Sequence, residues 1–244
     1  MSIEPHLGSV HFVVVGAGGL GCPALLGLSA AGARSITVLD PDVVETSNLQ
    51  RQVLYGVGDV GREKAVAAAW ALRRRVPSLD VKARVTALAP EDADAFVAAL
   101  PDRTIVLECT DQPALKFALN DAGLRHGTPV IIGAALGLKG QCLAVVPGRA
   151  CYRCIYESPP EDLPTCDGAG VLGVAVGLAG FLMATAAVAL CRSPAEADET
   201  AGALTAIDTA TGRIQTISPS PRPGCPACAE ATDNRLFAAF AQSA

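Results

Sequence analysis

The residues Gly16-Ala17-Gly18-Gly19-Leu20-Gly21 follow a short apolar run and lead into a stretch that reads as a helix. Glycines at 16, 18, 19 and 21 let a backbone approach phosphates closely. The helix start adds unpaired N–H groups and the positive end of a dipole. Asp40 closes the next apolar run, where a carboxylate can accept hydrogen bonds from ribose hydroxyls. These features alone fit NAD, FAD and ATP chemistry equally. The run Ser47-Asn48-Leu49-Gln50-Arg51-Gln52, followed by Lys64 at the opening of another helix, adds an amide and two cations. A triphosphate needs that set, because its charge must be neutralised before a carboxylate can approach the α-phosphate. A dinucleotide oxidoreductase does not.

The cysteines carry a second kind of chemistry. Cys151 and Cys154 form C-Y-R-C, and Cys225 and Cys228 form C-P-A-C. Either pair alone reads as a redox motif or a coincidence. Together they can complete a tetrahedral thiolate site, with Zn²⁺ the first choice. The two pairs lie further apart than in a zinc finger, so the metal would tie the C-terminal tail to the segment leaving the sheet. Cys166, in Thr165-Cys166-Asp167-Gly168-Ala169-Gly170, sits in a polar loop just before a long apolar segment. It reads equally as an accessible nucleophile and as a spare thiol. Cys22, Cys109, Cys142 and Cys191 lie in apolar segments and read as small core residues.

The elements that must position these groups are legible from apolar runs and breakers. Strands are expected at His11–Val15, Ser35–Leu39, Val81–Ala87, Thr104–Cys109 and Pro129–Ala134, with a further one at Gln141–Val146. Helices are expected at Cys22–Gly32, Lys64–Val76, Glu91–Leu100 and Ala114–His126. The alternation implies parallel strands joined by crossover helices: an α/β, doubly wound, mostly parallel Rossmann-like sheet. Arg73, Arg74 and Arg75 read as the solvated face of a helix, and His11 and His126 as ordinary strand and helix residues. Glu157–Gly168 and Arg192–Gly202 read as mobile polar loops. Ala169–Cys191 is uncharged and long enough to span a bilayer. With no aromatic belt or flanking positive cluster, it reads as a buried or interface helix.

The 244 residues suffice for one sizeable α/β domain, half of them are hydrophobic, and the formal charge is −5. That balance, without a basic patch, argues against nucleic-acid binding. Nothing at the start reads as a signal peptide, so a cytoplasmic location with reduced thiols is expected for the nine cysteines.

From about Phe12 to Cys228 the sequence resembles the MoeB/ThiF family (HesA/MoeB/ThiF), the bacterial relatives of ubiquitin-activating enzymes. The matching residues are Gly16–Gly21, Leu39-Asp40-Pro41-Asp42, Ser47–Gln52, Gly61-Arg62-Glu63-Lys64 and Glu108-Cys109-Thr110-Asp111. The resemblance implies a single adenylyltransferase domain, with a nucleotide part over about 10–135 and a carrier-binding and zinc part over about 136–230. It implies that Gly19, Asp40, Asn48, Arg51 and Lys64 contact ATP, with Asp42 and Gln52 in the same matched motifs, and that Asp111 holds Mg²⁺. It also supports a structural Cys₄ zinc site, extra antiparallel strands and a homodimer. Cys166 matches a family cysteine that in some members takes part in sulfur transfer or links covalently to the carrier.

The expected activity is adenylation of the C-terminal glycine carboxylate of a ubiquitin-like (β-grasp) sulfur-carrier protein ending in Gly-Gly, ahead of thiocarboxylate formation. Two departures from the family pattern stand out. No arginine precedes Arg34, whereas family members carry an N-terminal arginine that reaches the partner subunit's ATP site. Gln112 also follows Asp111 where asparagine is common. No sulfurtransferase domain is apparent, so sulfur is expected from a separate donor. Two other readings remain open: an NAD(P)-dependent oxidoreductase, which leaves Arg51, Lys64 and the cysteine pairs without a task, and a catalytically weak scaffold binding nucleotide or carrier. An ATP-dependent dehydratase of modified tRNA would share the nucleotide motifs but lacks a basic patch here.

Overall fold

The structure is a computed structural model that describes residues 7–159, 170–229 and 231. Five strands run parallel: β1 (His11–Val15), β2 (Ser35–Leu39), β3 (Asp80–Arg84), β4 (Thr104–Glu108) and β5 (Val130–Leu136). Three more, β6 (Lys139–Val145), β7 (Leu204–Asp208) and β8 (Arg213–Ile217), extend the sheet antiparallel. The order is β3-β2-β1-β4-β5-β6-β7-β8. The chain therefore leaves β1 in one direction for β2 and β3, then returns to its other side for β4 and β5. That reversal makes the carboxyl ends of β1 and β4 a topological switch point, where open α/β sheets bind ligands.

Period-two alternation along the strands feeds two cores. Phe12, Val14, Ile36, Val38, Ile105 and Leu107 face one side of the sheet. That side is covered by α1 (Gly21–Ala30), α2 (Lys64–Arg75) and α6 (Gly173–Arg192). Val13, Val15, Val106, Val130 and Ile132 face the other side. There they meet α3 (Ala93–Ala98), α4 (Pro113–His126), α5 (Tyr152–Ile155) and α8 (Pro226–Ala229).

The uncharged segment expected to be a buried or interface helix is α6. About half of its apolar stretch is buried, against α1 and strands β5 and β6. Its outer face leaves Val174, Leu178 and Phe181 exposed. Arg73, Arg74 and Arg75 are exposed at the end of α2, as expected of a solvated face.

Three expectations need correction. Arg192–Gly202 is not wholly a loop: it contains α7 (Pro194–Thr200), started by Ser193, whose Oγ accepts from the Glu196 N–H at 3.3 Å. Ser, Pro and Glu at those positions are a helix-start signal that the acidic composition obscured. β3 ends at Arg84 rather than Ala87, because it is an edge strand paired on one side alone. The helix expected from Glu91 opens as a 3₁₀ turn at Pro90–Asp92 and is α-helical over Ala93–Ala98. Most of the Glu157–Gly168 loop, with Cys166, lies outside the described residues.

Candidate nucleotide and thiolate sites

The glycine turn sits at the switch point. Gly16 leaves β1 with φ of 93°, and a side chain there would meet the Cys109 backbone at 3.0 Å. At Gly21 the constraint is harder, since a Cβ would lie 1.9 Å from the Gly16 carbonyl oxygen. The turn is so tight that only glycine fits, and α1 begins directly after it. Gly18 lies against the Gln52 amide, and Gly19 against Val176 of α6.

Asp40 locks this turn. Its Oδ2 accepts from the Ala17 N–H at 2.7 Å and its Oδ1 from the Asp42 N–H at 2.9 Å. Burial pushes its carboxyl up from the usual range, and those two N–H donors oppose the shift. Each oxygen keeps a lone pair for a ligand hydroxyl.

The loop after β2 folds back onto the turn. Asn48 organises it: its Oδ1 accepts from the Glu45 N–H at 3.2 Å, and its carbonyl accepts from the N–H groups of Arg51 and Gln52. Arg51 Nη1 donates to the Ser47 carbonyl at 3.4 Å. The Tyr55 hydroxyl lies within hydrogen-bond reach of the carbonyls of both Ala17 (2.8 Å) and Lys64 (3.1 Å), which joins the glycine turn to the start of α2. Lys64 is 8% exposed, and its Nζ donates to Asp42 Oδ2 at 2.8 Å. The start of α6 closes the other side, where a Cβ at Gly173 would meet the Gln50 carbonyl at 2.7 Å.

Gln52 is 3% exposed, and among the described residues nothing donates to its buried Oε1. A buried acceptor without a donor is costly and rare, so this atom beside the glycine turn fits a ligand that brings its own N–H or O–H. Asp111 follows β4 on the same edge. It is exposed, and its carboxylate makes no hydrogen bond or ion pair with another described residue. A carboxylate in that state suits a hard divalent cation. Thr110 packs its methyl toward Gly16, so the Asp111 turn abuts the glycine turn.

Two groups here have no role assigned by the motif reading. Glu108, fully buried at the end of β4, pairs with Lys116 on α4, itself 5% exposed. Burial pushes the Glu108 carboxyl upward, against the pull of Lys116 and of its Thr110 donors. A glutamate closing an apolar strand was the available signal. Tyr55 is the other, marked only as an aromatic between two motifs.

The second site joins the two cysteine pairs. Cys151 and Cys154 flank and enter α5, and Cys225 and Cys228 do the same at α8. Their sulfurs all lie within 4.8 Å of one another, with separations of 3.5 to 3.7 Å for the bonded pairs. A tetrahedral ion with metal–sulfur bonds of about 2.3 Å needs sulfurs about 3.8 Å apart, close to the four separations of 3.5 to 3.7 Å, so the set fits such an ion. Outer contacts fix the ligands. The Arg222 N–H donates to Cys154 Sγ at 3.3 Å, the Tyr152 N–H donates to the buried Asn120 Oδ1 at 2.7 Å, and Arg153 forks onto Asp121. Burial raises the Cys154 thiol, but hydrogen bonds from the Arg222 and Cys151 backbone and from the Cys228 and Cys151 thiols outweigh it and hold the group below its usual value. Cys22, Cys142 and Cys191 are buried, with thiols pushed up to about 12 chiefly by burial, as core residues should be.

Comparison with known proteins places this architecture. The SAMP-activating enzyme E1 of Haloferax volcanii is 37% identical over 229 residues, covering 93% of this chain and 83% of that protein. The adenylyltransferase and sulfurtransferase UBA4 of Candida albicans is 39% identical over 195 residues, covering 75% of this chain. The matched region is 44% of the fungal protein, so this chain spans less than half of it. The crystal structure of E. coli MccB with ATP superposes with a TM-score of 0.75 at 21% identity, covering 91% of this chain and 68% of that one, a likeness of fold. Residues 4–227 match the ThiF family, and with its switch-point glycine turn and its mixed sheet this chain belongs to that family.

Proposed function

We propose that the protein adenylates the C-terminal glycine carboxylate of a ubiquitin-like sulfur-carrier protein, using ATP. The observation that carries this reading is the Tyr55 bridge, which brings the base of the buried Lys64 to the glycine turn. A nicotinamide-dependent oxidoreductase has no use for a desolvated lysine at its pyrophosphate turn. A triphosphate does.

The carrier carboxylate, with a reference pKa of about 3.3–3.7, is already ionised at neutral pH, so no general base is required. One carboxylate oxygen bonds to the α-phosphorus. The bond from that phosphorus to the bridging oxygen breaks, and pyrophosphate leaves with the electron pair. The chain's task is to hold two anions together and in line. The glycine turn and the N-terminus of α1 receive the phosphates, Asp40 takes ribose hydroxyls, and Gln52 Oε1 accepts from the nucleoside. Arg51 and Lys64 lower the charge that repels the carboxylate. Asp111 would hold Mg²⁺, which supplies further charge neutralisation on the phosphates. With Gly16, Gly18, Gly19, Gly21, Asp42 and Asn48 shaping the pocket, every motif residue has a place in this reading.

The four thiolates would hold Zn²⁺ in a closed, structural site. The similarity to proteins named for activating SAMP and for adenylyl and sulfur transfer supports a carrier of ubiquitin-like type. The exposed Val174, Leu178 and Phe181, on one face of α6 beside the nucleotide loop, support a homodimer formed there. The reduced thiols suit a cytoplasmic location.

The test is carrier-dependent exchange of labelled pyrophosphate into ATP, with candidate carriers ending in Gly-Gly. Exchange with one carrier establishes the reaction and its substrate together. ATP binding without exchange for any carrier would favour a scaffold, and hydride transfer from NAD(P)H would favour the oxidoreductase.

A further inference from the structure

Thr110 is held by three separate hydrogen-bonding groups. Its N–H donates to Glu108 Oε1 at 2.9 Å, and its hydroxyl donates to the same oxygen. Its carbonyl accepts from Lys116 Nζ at 2.7 Å. Lys116 Nζ also donates to Glu108 Oε2 and, at 2.7 Å, to the Gly133 carbonyl of β5. An ammonium has three protons, and here three acceptors use them all. The peptide that leads into Asp111 is thus gripped on both sides, while the Asp111 carboxylate has no described partner of its own.

Neither residue is placed where it would best serve stability. Lys116 lies near the start of α4, where the helix dipole disfavours a cation. A buried ion pair usually gains no stability over apolar side chains of the same volume. What the pair does provide is a fixed direction for the turn after β4.

We propose that Glu108 and Lys116 are positioning residues that orient the Thr110–Asp111 turn so that Asp111 meets the divalent cation of the bound nucleotide. The proposal rests on the adenylation reading above. Glu108 and Lys116 are buried behind the turn and act through Thr110.

The experiment measures Mn²⁺ binding to the full chain by electron paramagnetic resonance, with a non-hydrolysable ATP analogue present. AMP binding without metal is measured alongside. Thr110→Val removes the hydroxyl at constant volume, Thr110→Ser keeps it, and Glu108→Gln combined with Lys116→Met leaves no buried charge unpaired. Thr110→Val and the double variant are expected to lose roughly tenfold in Mn²⁺ affinity, the scale of outer contacts at metal sites. Thr110→Ser should stay near the wild type, and AMP affinity should hold in all three.

Unchanged Mn²⁺ affinity in Thr110→Val overturns the proposal, as does an equal loss in Thr110→Ser, which would assign the effect to the methyl packed toward Gly16. A parallel loss of AMP binding also overturns it, as general damage. If the double variant fails to fold, the Thr110 pair decides alone. Wild-type protein that binds no nucleotide overturns the adenylation reading and this proposal together, whereas a normal wild type beside unaffected variants overturns this proposal only.

Discussion

A lysine 8% exposed and held by one carboxylate at 2.8 Å is an expensive arrangement for a charge that merely decorates a surface. If Lys64 serves the phosphates, Lys64→Met keeps the stem and removes the charge. It should reduce carrier-dependent pyrophosphate exchange by about 10²–10³-fold, the usual loss when one donor to a developing charge is deleted. Circular dichroism should remain unchanged, and exchange at the wild-type rate would remove Lys64 from the chemistry.

Gln52 allows a sharper separation of binding from stability. Its buried Oε1 lacks a donor among the described residues, and leaving such an acceptor unsatisfied costs about 1–3 kcal/mol. Gln52→Leu discards the orphan at similar volume. The ligand-free variant should therefore melt no lower than the wild type, while ATP binding measured by calorimetry weakens by about tenfold for one lost hydrogen bond. A lower melting temperature with intact ATP binding would mean that the side chain serves the fold instead.

At the scale of elements, the sequence was most readable where burial is complete. β1 and β2 occupy His11–Val15 and Ser35–Leu39 as expected, because strands covered on both faces are rich in Val, Ile and Leu, and the polar His11, Ser35 and Thr37 satisfy one another. β8 is exposed along its whole length, so no alternation betrays it, and it was not located from the residues. The glycine turn, Asp40, Arg51 and Lys64 were legible because phosphate and ribose chemistry restricts residue types at close spacing. The Glu108–Lys116 contact was not, since it depends on how tightly the chain turns between β4 and α4.

The helix α7 shows a different failure, in which average composition outweighed a local start signal. Its N-cap is testable. Ser193→Ala removes the acceptor for the Glu196 N–H and should cost about 1 kcal/mol in denaturant unfolding. Ser193→Asp should recover most of it, and no loss with alanine would mean that tertiary packing alone holds α7.

For the molecule as a whole, the parallel half carries the nucleotide residues and the antiparallel half ends at the thiolate site. Cys151 follows β6 and Cys225 follows β8, so a bound ion would close β7, β8 and α6 into one loop. Closing a long loop removes freedom from the unfolded chain, and metal binding is itself folding free energy. A contribution of ~3 kcal/mol would shift the melting temperature of a chain this size by roughly 6–12 °C. The nucleotide groups are anchored elsewhere, on the ends of β1, β2 and β4, and the thiolate site shares no hydrogen bond with them among the described residues. Both sites lean on α4, through Lys116 on one turn and Asn120 and Asp121 on the next, but they share no hydrogen-bond partner among the described residues, and residues without a shared partner contribute nearly additively. Treating the protein with a strong chelator under reducing conditions should therefore lower the melting temperature by that margin and expose the Arg222–Cys228 segment to protease. ATP affinity should change by less than about twofold, the tolerance expected of uncoupled sites. Metal analysis before and after chelation fixes the stoichiometry, expected at one zinc per chain. If chelation abolishes ATP binding while the parallel sheet stays folded, the thiolate centre is coupled to the nucleotide site, and its role as a remote clasp on the antiparallel half is wrong.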